Sequence, residues 1–225
     1  MLKTSVQQRG VIVRRIVAYV FGLFMLAFGV GLSVKSNLGI SPVNAVPYVV
    51  SQLSGLEQGM LTTIFFCFLI LLQVLLLRKA FKPVQLLQVV CSTLFGSFVT
   101  LANWLLSPVV LTVYWARLAF ALLSIVFIAA GMTLYLCANL IPQPTEGLCL
   151  AIEKLYGFQY GNIKVCVDCS MVAAAAVISL IGCHTIIGLR EGTVLTMLCA
   201  GKLIGLMMRL FNRSLKAWIY QTTNP

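Results

Sequence analysis

Acidic side chains are scarce in this chain: five Asp and Glu stand against sixteen Lys and Arg, with a single His. One histidine cannot supply a His-Glu-x-x-His or paired-histidine zinc pattern, and no Gly-x-Ser-x-Gly, Walker or dinucleotide pattern is present. No metal and no cofactor is therefore expected. Charged residues of either sign make up only 9% of the sequence. No long polar stretch interrupts the apolar runs, which leaves no room for a soluble domain.

Apolar residues fill the space instead, at 60% of the chain with a mean hydropathy of +1.02. Six windows approach or exceed the ~20 residues that a helix needs to cross ~30 Å of hydrocarbon. They run from Ile16 to Val34, Met60 to Leu77, Val84 to Leu106, Leu118 to Asn139, Ile163 to Ile181 and Thr193 to Phe211. The expected fold is an all-α polytopic transmembrane helix bundle. The first window follows Arg9, Arg14 and Arg15 as a signal peptide would, yet its core is too long and lacks a small-residue cleavage site, so it is read as an uncleaved span.

The basic residues cluster on one side of this pattern. Lys3, Arg9, Arg14 and Arg15 precede the first span, and Arg78, Lys79 and Lys82 follow the second. Lys154 and Lys164 flank the fourth connection, while Arg209, Arg213 and Lys216 close the last span: twelve of the sixteen basic residues. Positive charge marks the cytoplasmic side, so both termini are expected there. The net charge of +11 then reports topology and attraction to anionic lipid, with no nucleic-acid partner.

Two stretches copy each other at a separation of 102 residues. Gly29, Leu32, Asn37, Leu38, Pro42, Leu53, Gly55 and Gly59 recur as Gly131, Leu134, Asn139, Leu140, Pro144, Leu155, Gly157 and Gly161. The chain thus reads as one membrane domain over 1–225, with repeat one at about 16–110 and repeat two at about 116–212. Three spans per unit would place the second copy upside-down relative to the first, an inverted repeat. Each unit holds a short Pro-started helix: Ser41-Pro42-Val43-Asn44 opens one running to Ser54, and Gln143-Pro144-Thr145-Glu146 opens its partner. Gly55 and Gly157 stand where a helix C-cap favours glycine. If these helices dip into the membrane, their N-termini offer sites for an anion or a substrate carboxylate; otherwise they lie flat at the interface.

Ionisable groups inside spans are costly and so are candidates for function. Asp168 stands one helical turn after Lys164, Lys202 lies in mid-span, and Glu146 is at the mouth of the second short helix. A buried ion pair or a snorkelling lysine is the structural alternative. Arg190-Glu191-Gly192-Thr193 opens the sixth span, where Glu191 suits the helix dipole. Gly96-x3-Thr100 and Gly201-x3-Gly205 are small-residue faces, expected to join the repeats or to form a dimer seam. Among eight cysteines the only suggestive spacing is Cys166-x2-Cys169. A membrane thiol oxidoreductase would use such a pair; apolar packing is the plainer role.

Val34-Lys35-Ser36-Asn37-Leu38-Gly39-Ile40-Ser41-Pro42, the Lys164 and Asp168 pair, and Gly188-Leu189-Arg190-Glu191-Gly192-Thr193 resemble the YczE/YitT-type bacterial multi-pass membrane proteins. The resemblance covers nearly the whole chain. It implies a multi-span fold in the bacterial cytoplasmic membrane and supplies no catalytic or ligand residues. The expected function is a secondary transporter or permease-like protein for a small polar or ionised solute. Its binding residues would be Asn37, Ser41, Asn44, Asn139, Thr145 and Glu146, with Asp168, Lys164 and Lys202 coupling an ion or proton. The alternative is a non-transporting scaffold or accessory factor acting through a protein partner. Beyond lipid and a small solute, a homodimer is the partner a chain this short leaves open.

Overall fold

A computed structural model describes residues 2–220, the side chains of 2–8 and Cys183 excepted; the Lys3 side chain therefore lies outside the described residues. The chain is helical throughout, with eight α-helices in order: α1 (Leu2–Ser36), α2 (Pro42–Ser54), α3 (Gln58–Leu77), α4 (Leu87–Leu105), α5 (Tyr114–Ala138), α6 (Pro144–Tyr156), α7 (Tyr160–Cys183) and α8 (Glu191–Tyr220). Two short 3-10 turns, Arg78–Ala80 and Pro83–Leu86, join α3 to α4. Six of these helices are long and apolar enough to cross a bilayer. Each matches one apolar window of the sequence, and the order long, short, long, long occurs twice. The first and last helices run past their windows, because the polar flanks that leave the hydrocarbon remain good helix formers.

The centre of the bundle is α1 against α5. Lipid tails are as apolar as leucine, so helix association here rests on close packing and on bonds between helices. Gly22 and Gly131 bring the two backbones together, since a Cβ on Gly22 would lie 2.9 Å from the Gly131 carbonyl oxygen; Gly29 does the same against Ile128. Residue 22 meets 131 and 135 while 29 meets 128, so the two helices run antiparallel. Leu23, Ala27, Val30, Tyr135 and Ala138 are buried in the resulting core, with Phe66 of α3 and Phe95 of α4 packed beside them.

The small-residue faces do not join the halves as expected. Gly96 packs on Gly59 within the first half, where a Cβ on either would overlap the other's carbonyl. Thr63 caps this α3–α4 seam by donating to the Gly59 carbonyl at 3.1 Å. Gly201 and Gly205 face open space, as does Gly161. A matching difference runs through the whole arrangement. Helix α4 packs on both α3 and α1, whereas α8 packs on α5 and α1 and stands away from α7. Only 6% of the apolar window of α8 is buried, against 61% for α1, so α8 is a peripheral helix.

The short helices behave alike. Both begin with proline after an extended residue, Ser41 or Gln143, and both end at a left-handed glycine, Gly55 or Gly157. Their first turns are buried in the bundle and their last turns are exposed. The Ser41 hydroxyl does not cap the backbone amides of α2, contrary to expectation; it accepts a bond from Asn44 Nδ2 at 3.0 Å.

Candidate functional site

The first turns of α2 and α6 meet at one chamber of about 270 Å³. Its apolar walls come from α1 and α5 through Leu26, Val30, Ile128 and Met132, and from α8 through Met197 and Ile204. Its polar side is made by Ser41, Asn44, Gln143, Thr145 and Glu146 of the two short helices, by Lys164 and Asp168 of α7, and by Thr196 of α8. The slot left by the separation of α7 from α8 forms one wall.

Asn44 and Glu146 occupy equivalent positions, 102 residues apart, in the third place of each short helix. They are 3% and 5% exposed. Asn44 Oδ1, Gln143 Nε2 and Glu146 Oε2 are buried without a hydrogen-bond partner in the chain. Unpaired buried polar atoms are costly, and three of the seven such side-chain atoms among the described residues belong to this chamber. Burial pushes the Glu146 carboxyl up to about 7, against the pull of Lys164 and of the Gln143 amide that lower it. Lys164 Nζ bonds Asp168 Oδ1 at 2.5 Å, with both side chains about one-fifth to one-quarter exposed. The i, i+4 spacing on α7 places this pair on the chamber side.

A second cavity of about 570 Å³ adjoins the chamber and shares Met132, Glu146, Lys164, Gly201 and Ile204 with it. It reaches the molecular surface at the C-terminal end of α5, where Asn139 and Leu140 line it and are exposed. Glu146 and Lys164 thus stand between an open vestibule and the inner chamber. The vestibule wall is held in place by two tyrosines: Tyr19 Oη donates to the Ile141 carbonyl at 3.0 Å, and the Gln143 amide donates to Tyr135 Oη at 3.2 Å. Arg15 adds a bond from Nε to the Ala138 carbonyl.

Two sequence motifs interlock next to the chamber residues Ser41 and Thr196. The Ile40 amide bonds the Gly188 carbonyl at 3.0 Å and Thr193 Oγ1 at 3.1 Å, while the Gly192 amide bonds the Leu38 carbonyl at 2.7 Å. Ser33 Oγ donates to the Gly39 carbonyl at 2.8 Å, and Arg190 reaches the Asn37 carbonyl at 3.3 Å. Gly39 has φ +128°, and a Cβ there would lie 2.5 Å from the Thr193 amide, so only glycine fits. Leu38 and Ile40 are 1% and 2% exposed within this interlock.

Of the residues expected at the site, Ser41, Asn44, Thr145, Glu146, Lys164 and Asp168 line the chamber together. Asn37 and Asn139 do not; both are exposed, with φ of 53° and 47° at the ends of α1 and α5, and Asn139 lines the vestibule only. Lys202 is exposed on α8, and no ion pair is formed by it among the described residues. Arg190 and Glu191 pair at 3.6 Å on the surface beside the interlock, while Gly192 and Thr193 build it. Cys166 and Cys169 are exposed and line neither cavity. Gln143, Tyr19 and Tyr135 were missed by sequence reasoning. For Gln143 a signal existed, since it stands before Pro144 as Ser41 stands before Pro42; nothing in the sequence pairs the tyrosines with 141–143.

The sequence profile of a family described as "Family of unknown function (DUF6198)" matches residues 13–209. Two curated proteins of Bacillus subtilis (strain 168) are similar. The "Uncharacterized membrane protein YczE" is 30% identical over 158 residues, covering 70% of this chain and 71% of that one. The "Uncharacterized protein YyaS" is 26% identical over 198 residues, covering 87% and 92%. No solved structure matches.

Proposed function

The chain belongs to the family of unknown function DUF6198, and for this membrane protein with six helices of spanning length we propose a secondary transporter or permease-like role for a small polar or ionised solute. The observation that carries the reading is the convergence of the α2 and α6 first turns, with unpartnered Asn44 and Glu146 oxygens, on a chamber that adjoins an open vestibule. A scaffold has no need of a polar chamber between two half-length helices. Transporters of this kind place substrate between discontinuous helices of two related halves.

The antiparallel course of α1 and α5 supports an inverted relation of the halves. Their unequal packing supports alternating access. Helices α3 and α4 are closed through Gly59 and Gly96, and α7 and α8 stand apart with their counterparts facing open space, Gly161 at the repeat spacing of 102 and Gly201 after a three-residue gap. Exchanging these two arrangements would shut the vestibule and open the far end. In this reading the vestibule faces the cytoplasm of a bacterial cell and both termini lie there, as the placement of Arg14, Arg15 and Arg213 favours.

The test is sided labelling of a Thr145→Cys variant with a membrane-impermeant maleimide, located by peptide mass, in inside-out vesicles and in spheroplasts. Modification from the vestibule side, slowed by a subset of small solutes, is expected. Absence of modification from either side would overturn the carrier reading in favour of the scaffold.

A further inference from the structure

We propose that the chamber takes a small primary ammonium ion, with Glu146 as its counter-ion and Asn44 as a second acceptor, exchanging the solute for the proton that the carboxyl otherwise holds. The proposal rests on the carrier reading and narrows it to one class of solute.

A helix N-terminus ordinarily favours an anion, and two converge here. Each offers an anion fewer amides than a free helix start does. Pro42 and Pro144 remove the first amide of each helix, the Asn44 amide bonds the Ser41 carbonyl at 3.0 Å, and the Gly147 amide bonds the Gln143 carbonyl at 2.8 Å. At α6 the chain's own carboxylate, Glu146, already stands in the first turn and lines the chamber, so its ionised form repels a second anion. Lys164, the one cationic side chain lining the chamber, is engaged by Asp168. The chamber's net charge is then that of Glu146, a single negative charge when ionised.

Its unpartnered groups are mostly acceptors. Glu146 Oε2 and Asn44 Oδ1 lack donors. Pro47 also lacks the N–H that would complete the helical bond to the carbonyl of Val43, another residue of the chamber. An R–NH3+ group brings three donors and one positive charge to this set, and the apolar wall of Leu26, Val30 and Ile128 receives its carbon chain. When the ammonium binds, the Glu146 O–H bond breaks and the proton leaves through the vestibule. One cation enters as one proton departs, so the chamber's charge is unchanged. The groups facing Glu146 set the pH range of this exchange. They are Lys164, Asp168 and Tyr160 on α7, Tyr19 on α1, Tyr135 on α5 and Cys149 on its own helix. Helices α3 and α4 bring the neutral amides of Gln73 and Gln88 to the start of α6, and α4 also sets Cys91 against Tyr19; α8 lines both cavities without an ionisable side chain.

The experiment uses the purified full-length protein in nanodiscs with three salts: n-butylammonium chloride, tetramethylammonium chloride and sodium butyrate. Thermal midpoints are followed from pH 5 to 9, and proton release is read in weak buffer near pH 6. Butylammonium should raise the midpoint and release about one proton per site, with its apparent affinity falling about tenfold for each pH unit below the carboxyl's titration. Tetramethylammonium, which has no N–H to donate, should do neither. In Glu146→Gln the proton release should vanish. Should that variant fail to fold, proton release by the parent decides alone. Stabilisation by butyrate in place of butylammonium overturns the inference and leaves the carrier reading intact. So does silence of all three salts when Thr145→Cys is still labelled from one side. Loss of that labelling overturns both.

Discussion

Thr193 joins two backbone segments through one hydroxyl, which accepts from the Ile40 and Arg190 amides and donates to the Gly188 carbonyl. Its position is 3% exposed, so no water replaces a lost partner. Thr193→Val should cost about 1–3 kcal/mol of unfolding free energy, with Thr193→Ser recovering most of it, measured by thermal unfolding in detergent. Glu146 gives the opposite kind of effect. Its carboxyl titrates near 7 when folded because it is buried, above its range of about 4.3 in the unfolded chain. Between those limits the folded state binds more protons than the unfolded state, so this group makes stability fall as pH rises from about 4.5 to about 7. That component should be absent from the stability profile of Glu146→Gln, and a profile that keeps it would place the titration elsewhere. Lys202→Gln, on the exposed flank of α8, should change the midpoint by no more than about 0.5 kcal/mol in equivalent free energy.

At the scale of helices, equivalent glycines have unequal surroundings. Gly96 sits against the Gly59 carbonyl, so Gly96→Val must force α3 and α4 apart and should destabilise by about 1–3 kcal/mol or prevent folding. Gly201→Val meets nothing within 4 Å and should melt as the parent does. If α7 and α8 must close during turnover, that variant should nevertheless lose solute uptake by proteoliposomes while keeping parental stability. The caps and starts of the short helices were legible from Pro42, Pro144, Gly55 and Gly157, because those residues act through local backbone geometry. The burial of the first turns was not. An amphipathic segment of thirteen residues looks the same whether its apolar face meets lipid headgroups or neighbouring helices.

For the whole molecule, the pairing of halves runs through α1 and α5, and the asymmetry runs through α7 and α8. A Gly161→Cys/Gly201→Cys variant should be trapped by oxidant in a closed form in which Thr145→Cys is no longer labelled, with reductant restoring access. Labelling unchanged by oxidation would mean that the α7–α8 slot does not close. Gly131→Ile should be among the most damaging changes in the chain, since its Cβ would strike the Gly22 carbonyl and the Leu26 backbone; folded yield after detergent extraction reads this directly.

Hydropathy and charge spacing by themselves determined a helical membrane protein of six long spans and two short Pro-started helices, because spanning length and backbone chemistry are local constraints that a linear pattern records. The repeat at 102 residues already paired Asn44 with Glu146. What tertiary structure alone decided is that these two face one chamber, that Asn37, Asn139 and Lys202 stay outside it, and that Gly59 and Gly96 touch where Gly161 and Gly201 do not. Those outcomes depend on the angles at which helices cross and on which face each helix turns inward. Two copies of one sequence pattern can settle into different packings, and no residue of either copy carries that difference alone.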